Sequence, residues 1–249
     1  MNMKKLLILA LLFLTGCGYT NWSTSVTSWA TAATPELTTV SNSYSSSNNI
    51  HMLAQQSDLV NQYATSGFQP GQIQDFISGN DLQIRLNALA ALNNYTNALN
   101  KLASGKDLAV LAVTPPKTPA VNLAETEMNA AIATMDSIAT MVLKAKTKSK
   151  LSKIIKTADP EIQKFAVLFA ADLSDLKAQA DRDYTTMMIN QDQFIQSNQT
   201  TLSVADMKTQ VTALAQIESN MKKSDSDFNT AILNIQSFAA MHHKLAGEK

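Results

Sequence analysis

The chain has 249 residues, 45% of them hydrophobic and 16% charged, and its 20 basic side chains balance its 20 acidic ones to a formal charge of zero. A general nucleic-acid binder carries a marked basic excess, so no nucleic acid is expected as a partner. A single cysteine excludes an intramolecular disulfide, which leaves packing to hold one extended domain or two small ones.

The first residues read MNMKKLLILALLFLTGC: Lys4 and Lys5 precede an unbroken apolar run from Leu6 to Leu14, then the small residues Thr15 and Gly16. A basic start, a short apolar stretch and small residues are the layout of a secretory signal peptide. The run is far short of the roughly 20 apolar residues a spanning helix needs. Residues 1–16 are therefore expected to be a signal peptide and not a transmembrane helix.

Leu14-Thr15-Gly16-Cys17 resembles the lipobox of bacterial lipoproteins, whose signal is cut immediately before a cysteine. The resemblance covers only these first 17 residues. It implies that Cys17 becomes the first mature residue, carries a thioether-linked diacylglycerol, and is acylated at its new amino terminus with a palmitate-type chain. Each buried methylene adds about 0.8 kcal/mol of membrane affinity, so one chain is marginal and several make a stable anchor. Gly18 stands where lipoproteins retained in the inner membrane commonly have aspartate. The implied destination is the outer membrane of a two-membrane cell, with the domain facing the periplasm.

Residues 17–35, rich in Ser, Thr, Ala and Asn, suit a mobile tether between membrane and domain. Within them Trp22, Val26, Trp29 and Ala33 recur at helical spacing. Two readings stay open: the tryptophans lie at the lipid headgroups, or they pack back onto the domain. The domain proper is expected over 36–249, with SNSYSSSNNI at 41–50 a second polar patch of low helix propensity.

Seven glycines and six prolines punctuate long apolar-periodic segments, the pattern of an all-α protein. Ile50, Leu53, Ser57, Val60 and Ala64 form a first stripe. The segment GFQPGQIQDFISGND then reads as a turn holding one short helix. Leu82, Leu86, Leu89, Leu92, Tyr95, Leu99 and Leu102 make a second stripe, begun by Asn80 or Asp81 and ended near Gly105. KDLAVLAVTPPKTP is a major break.

Beyond it, Val121, Ala124, Met128, Ala131, Met135, Ile138, Val142 and Ala145 follow a heptad seam. Ile162, Ala166, Phe169, Leu173, Leu176, Ala180, Tyr184, Met187 and Phe194 form another, with Asp159-Pro160-Glu161 as its predicted N-terminus. The last runs Val204, Met207, Val211, Leu214, Ile217, Met221, Phe228, Ile232, Ile235 and Ala239, interrupted by the polar KKSDSD at 222–227. Five substantial helices with short connections, and the short sixth, predict an elongated antiparallel up-and-down bundle.

Chemistry-bearing residues are few. The three histidines are His51 and the adjacent pair His242-His243; HExxH, a Walker loop, GxSxG and CxxCH do not occur. His51 or Met52 with His242 would make a metal or haem site if the early and late helices met; a solvated C-terminal tail is the plainer reading. DRDY at 181–184 and SDSD at 224–227 lack the glycine and distal glutamate of a calcium loop and read as exposed helix charge. No catalytic residue, metal ligand or cofactor is therefore nominated, and the chain is expected not to be an enzyme.

The most localised charge feature is Lys144, Lys146, Lys148, Lys150, Lys153 and Lys156, with no acidic residue among them. They suit contact with lipid phosphates, an anionic envelope polymer or an acidic partner, each worth up to about 1 kcal/mol near an anionic membrane. The competing reading is a solvated helix C-terminus whose lysines complement the helix dipole. Anchor and helices together predict a membrane-anchored envelope lipoprotein acting as a non-catalytic scaffold or protein-binding module. A membrane-active bundle resembling pore-forming toxins, whose apolar candidate is LAVLAV at 108–113, and a protective immunity or exclusion lipoprotein are the alternatives.

Overall fold

The computed structural model describes residues 22–67, 71–105, 123–145 and 150–247. They form five helices: α1 Trp22–Ser66, α2 Gly79–Ser104, α3 Leu123–Lys144, α4 Leu151–Asn198 and α5 Val204–Gly247. These pack against one another as an all-α bundle, and the described residues contain no strand. The 48 residues of α4 make it about 70 Å long at 1.5 Å per residue. The lipobox with Cys17, the LAVLAV run, and Lys146 and Lys148 lie outside the described residues.

Cross-helix contacts fix the directions. Ser23 meets Ala103 and Thr34 meets Asn93, so α1 and α2 are antiparallel. Trp22 meets Leu245 and Trp29 meets Phe238, so α5 also opposes α1. Tyr44 lies against Phe169, His51 against Asp183 and Asp58 against Asn190, so α4 runs with α1. Meanwhile α3 packs on α2 and α4.

The expected tether boundary at residue 35 is corrected by α1. From Trp22 through Pro35 the chain is already helix, and Val26, Trp29, Ala30 and Ala33 are buried in the common core. Trp29 settles which reading of the tryptophans holds for this segment: its indole Nε1 donates to the Phe238 carbonyl at 3.2 Å, and its ring lies 5.1 Å from that of Phe238. The polar patch at 41–50 does not interrupt the helix either. Thr27, Thr31, Thr38, Thr39 and Ser43 each donate their hydroxyl to the carbonyl four residues back, which keeps these groups within the helix instead of competing with it.

The first predicted stripe is out of phase with the observed face. Ile50 and Ala54 are buried, whereas Leu53 and Val60 are exposed. The buried face continues Val40, Tyr44, Ser47 and Ile50, small and polar positions included, because tertiary packing overrides propensity.

The short helix predicted between α1 and α2 is absent from the described residues 71–78. They form a strap held by two side-chain amides of α1. Asn48 Nδ2 donates to the Ile77 carbonyl and Asn48 Oδ1 accepts from its N–H, both at 2.8 Å. Gln55 embraces Gln74 in the same way, at 3.0 and 2.7 Å. Backbone groups satisfied by amide clamps have no need of a helix.

Ser78 then caps α2 by accepting from Asp81 N–H, and Gly105 ends it in the left-handed conformation at φ 71°, where a side chain would be strained. The predicted start of α4 at Asp159-Pro160 is also corrected: the helix begins at Leu151 and runs through Pro160. Asp159 is therefore not a cap.

Of the predicted α4 seam, the eight residues from Ile162 to Met187 are all buried. In α3, Met135, Ile138 and Val142 are buried, followed by Ala145 just beyond its end. The α5 stripe divides: Phe228, Ile235 and Ala239 are buried, but Val204 is 90% and Val211 49% exposed. Among described residues, burial in α1, α4 and α5 ends at Ala54, Met187 and Ser224; beyond that layer, towards the α4–α5 turn, each helix is covered on one side only.

Candidate functional site

The histidines do not converge. His51 Nδ1 lies 3.1 Å from both oxygens of Asp183, while His242 joins Asp159, 24 residues earlier on α4. That separation is about 36 Å along the helix, which removes the His51–His242 and Met52–His242 sites. Nor is His242 in a solvated tail: it is 0% exposed, against Trp29 and Tyr95.

Its two nitrogens are both used. Tyr95 Oη donates to Nε2 at 2.9 Å, and Nδ1–H donates to Asp159 Oδ1 at 2.9 Å. The neutral ring satisfies both contacts, and burial pushes its pKa below the usual 6.5. Burial pushes Asp159 upwards, but hydrogen bonds from His242, His243 and Gln163 outweigh it and leave the carboxyl below its usual range. Gln163 also donates to the Ala239 carbonyl at 2.9 Å, tying α4 to α5 beside the pair. The chain tyrosine–histidine–aspartate has the order of a proton relay, yet Tyr95 at its inner end is 0% exposed and burial holds its pKa well above 10. The network fastens three helices together inside the core.

The acidic pairs divide similarly. Asp181 and Asp225 both pair with Lys177, Asp183 holds His51, and Asp227 pairs with Lys223. They are helix-surface and inter-helix ion pairs. No three metal-binding side chains gather among the described residues.

The lysines have a more pointed arrangement. Lys144 ends α3, whereas Lys150 immediately precedes α4 and Lys153 and Lys156 occupy its first two turns, and all four are exposed. Three of them therefore stand at the positive end of a helix dipole, with no acidic residue in the first turn. Each such charge is unfavourable by about 0.3–1 kcal/mol, so the dipole-complement reading fails for these three. Because α4 runs with α1, they share the end of the bundle where Trp22 enters. Residues 22–35, 94–105, 144–145, 150–158 and 239–247, at this end, contain six lysines; the nearest carboxylate among the described residues of α4 is Asp159, which is held by His242 and His243.

A groove of about 630 Å³ opens between α1 and α5 in the middle of the bundle. One wall is the polar patch of α1, where Asn42, Ser45, Ser46 and Asn49 are exposed and make no side-chain hydrogen bond among the described residues. The other wall is α5, with Asn220 and the Lys223–Asp227 ion pair. Tyr184 and Ser224 line the floor; each is only 9% exposed, and neither hydroxyl has a hydrogen-bond partner.

Sequence reasoning missed Asp159, Tyr95 and Gln163 as partners of His242, since nothing local links residues so far apart. The groove had left one signal: a run of serine and asparagine on a helix that gains nothing in propensity from them. Comparison of the chain with protein families, curated proteins and solved structures finds no match to any of them.

Proposed function

We propose that the chain is a lipid-anchored lipoprotein of the bacterial envelope, attached through Cys17, whose helical bundle serves as a non-catalytic scaffold or binding module. One coincidence carries the reading: the lipobox cysteine lies five residues before Trp22, at the end of the bundle where Lys144, Lys150, Lys153 and Lys156 are exposed. Five residues reach at most about 18 Å when extended. An anchored Cys17 would thus hold the basic end against the membrane, with Lys150, Lys153 and Lys156 at the lipid phosphates offsetting the repulsion they meet from the α4 dipole. The bundle would stand away from the bilayer with its α4–α5 turn outermost. Gly18 favours the outer membrane and a domain facing the periplasm.

The non-catalytic reading is supported by the engagement of the titratable groups. The tyrosine–histidine–aspartate chain is closed inside the core, and Asp181, Asp183, Asp225 and Asp227 are paired with Lys177, His51 and Lys223. A scaffold of this kind would meet an envelope protein partner. Metabolic labelling with palmitate and membrane fractionation test the anchor. Cys17→Ala is expected to lose the label and leave the membrane fraction; a Cys17→Ala chain that remains labelled overturns the assignment.

A further inference from the structure

We propose that the groove between α1 and α5 binds a neutral oligosaccharide. The floor of the groove carries Tyr184 and Ser224, residues only 9% exposed, whose hydroxyls have no hydrogen-bond partner among the described residues. Hydroxyls at the floor of an open groove and free of protein partners are available to the hydrogen bonds of a ligand.

Around them the walls are unusually uncommitted. Asn42, Ser45, Ser46 and Asn49 face solvent without protein partners, and Asn220 uses only its carbonyl oxygen, accepting from Gln216 at 2.9 Å, so its NH₂ remains open. These groups donate and accept, as sugar hydroxyls do. The only charges on the lining, Lys223 and Asp227, cancel in an ion pair, which leaves no net attraction for an anion or a cation. Tyr184, Phe228 and Ile50, each less than a tenth exposed, make up the apolar part of the floor.

Length and backbone state narrow the class further. The α1 wall from Thr39 to Ile50 runs about 16 Å, room for several rings and more than a single sugar fills. A bound peptide would look for a sheet edge or deep apolar anchor pockets; here both walls are helices, whose backbone groups are already paired, and the lining is mostly hydroxyl and amide. Serine and asparagine are also poor choices for exposed helix positions, where alanine or lysine would stabilise α1. Their presence along one wall is accounted for if they serve a ligand. The assignment is consistent with the envelope location proposed above, where polysaccharide is the surrounding polymer, but rests on the groove alone.

The test uses the full-length chain in detergent micelles against an array of neutral oligosaccharides, including chitohexaose and maltohexaose, beside acidic glycans and extended peptides. Saturable binding to neutral oligosaccharides of four or more rings is expected. Asn42→Ala with Asn49→Ala, and Ser46→Trp, which fills the groove, should each weaken it at least tenfold. The alanine substitutions raise helix propensity, so an unchanged or higher Tm beside lost binding excludes misfolding as the cause. Absence of saturable binding to every neutral glycan, binding confined to acidic glycans or peptides, or binding indifferent to both variants overturns the proposal. Cys17→Ala should leave glycan binding intact while releasing the chain from membranes, so failure of the anchor and failure of the groove give different results.

Discussion

Asp159 Oδ1 and His242 Nδ1 lie 2.9 Å apart although 83 residues separate them, and the other ring nitrogen of the same histidine accepts from Tyr95. Three helices thereby share one buried imidazole. Asp159→Ala strands the buried N–H of His242, and a loss of about 1–3 kcal/mol is expected, read as a lowered urea midpoint. Both pKa values are depressed in the fold, His242 below 6.5 and Asp159 below 3.8. The unfolded chain therefore binds protons first as the pH drops, and stability falls below pH 6.5 and again below 3.8. Glu36 acts in the opposite direction over the same range, so the test uses the Glu36→Gln chain: a Tm of that chain that is flat from pH 7 to 5 would count against the neutral buried ring.

Glu36 has the opposite sign. Burial raises its pKa from 4.5 to about 7, and its Oε2 is buried without a partner. The folded state prefers the protonated acid, so stability declines as the pH rises from 4.5 through about 7. Glu36→Gln should remove that decline and stabilise the chain at pH 8 by about 1–2 kcal/mol, after allowance for solvent screening. Thermal denaturation of both chains at pH 5 and pH 8 checks this, and equal Tm differences at the two pH values would refute it.

Trp29→Ala distinguishes a core residue from a tether residue. Its indole is 3% exposed, and truncation of such a side chain costs about 3–5 kcal/mol. Tyr63→Ala, at the exposed end of α1, should stay within about 0.5 kcal/mol of the parent. Denaturant curves of the two variants should differ plainly; similar midpoints would restore the idea of a mobile tether.

The basic end is tested without the lipid. Unlipidated Cys17→Ala chain should associate with phosphatidylglycerol vesicles more than with phosphatidylcholine vesicles, and less as salt is raised. Replacing Lys150, Lys153 and Lys156 with Gln removes up to about 3 kcal/mol of that attraction, at roughly 1 kcal/mol per lysine. Vesicle sedimentation that shows no preference for the anionic lipid, or none of this loss, would leave these lysines without a membrane role.

The fold class and the α4 seam were legible because apolar residues from Ile162 to Met187 recur with the helical period and all face neighbours. Val204 and Val211 obey the same period yet are exposed. Periodicity identifies a helix face and says nothing of how many helices cover it. Pro160 misled: it read as the start of a helix, but it sits inside one whose other turns are held by tertiary packing, as Pro35 does in α1. The seam through Trp22, Val26, Trp29 and Ala33 was visible, and only composition suggested a tether. Among the chemical groups, the lysine run was plain in sequence, but its place at the start of α4 depends on where that helix begins. The His242 network and the groove depend on long-range pairing that no local pattern encodes.

The length of α4 turns orientation into displacement. A rod about 70 Å long, held at one end, swings its far end by about 12 Å for every 10° of tilt. In the anchored arrangement proposed here, a lipid chain by itself fixes a point and leaves the angle free. A second set of contacts at the base acts as a footing, so charge at the membrane surface would govern how steadily the α4–α5 turn is presented at its height above the bilayer.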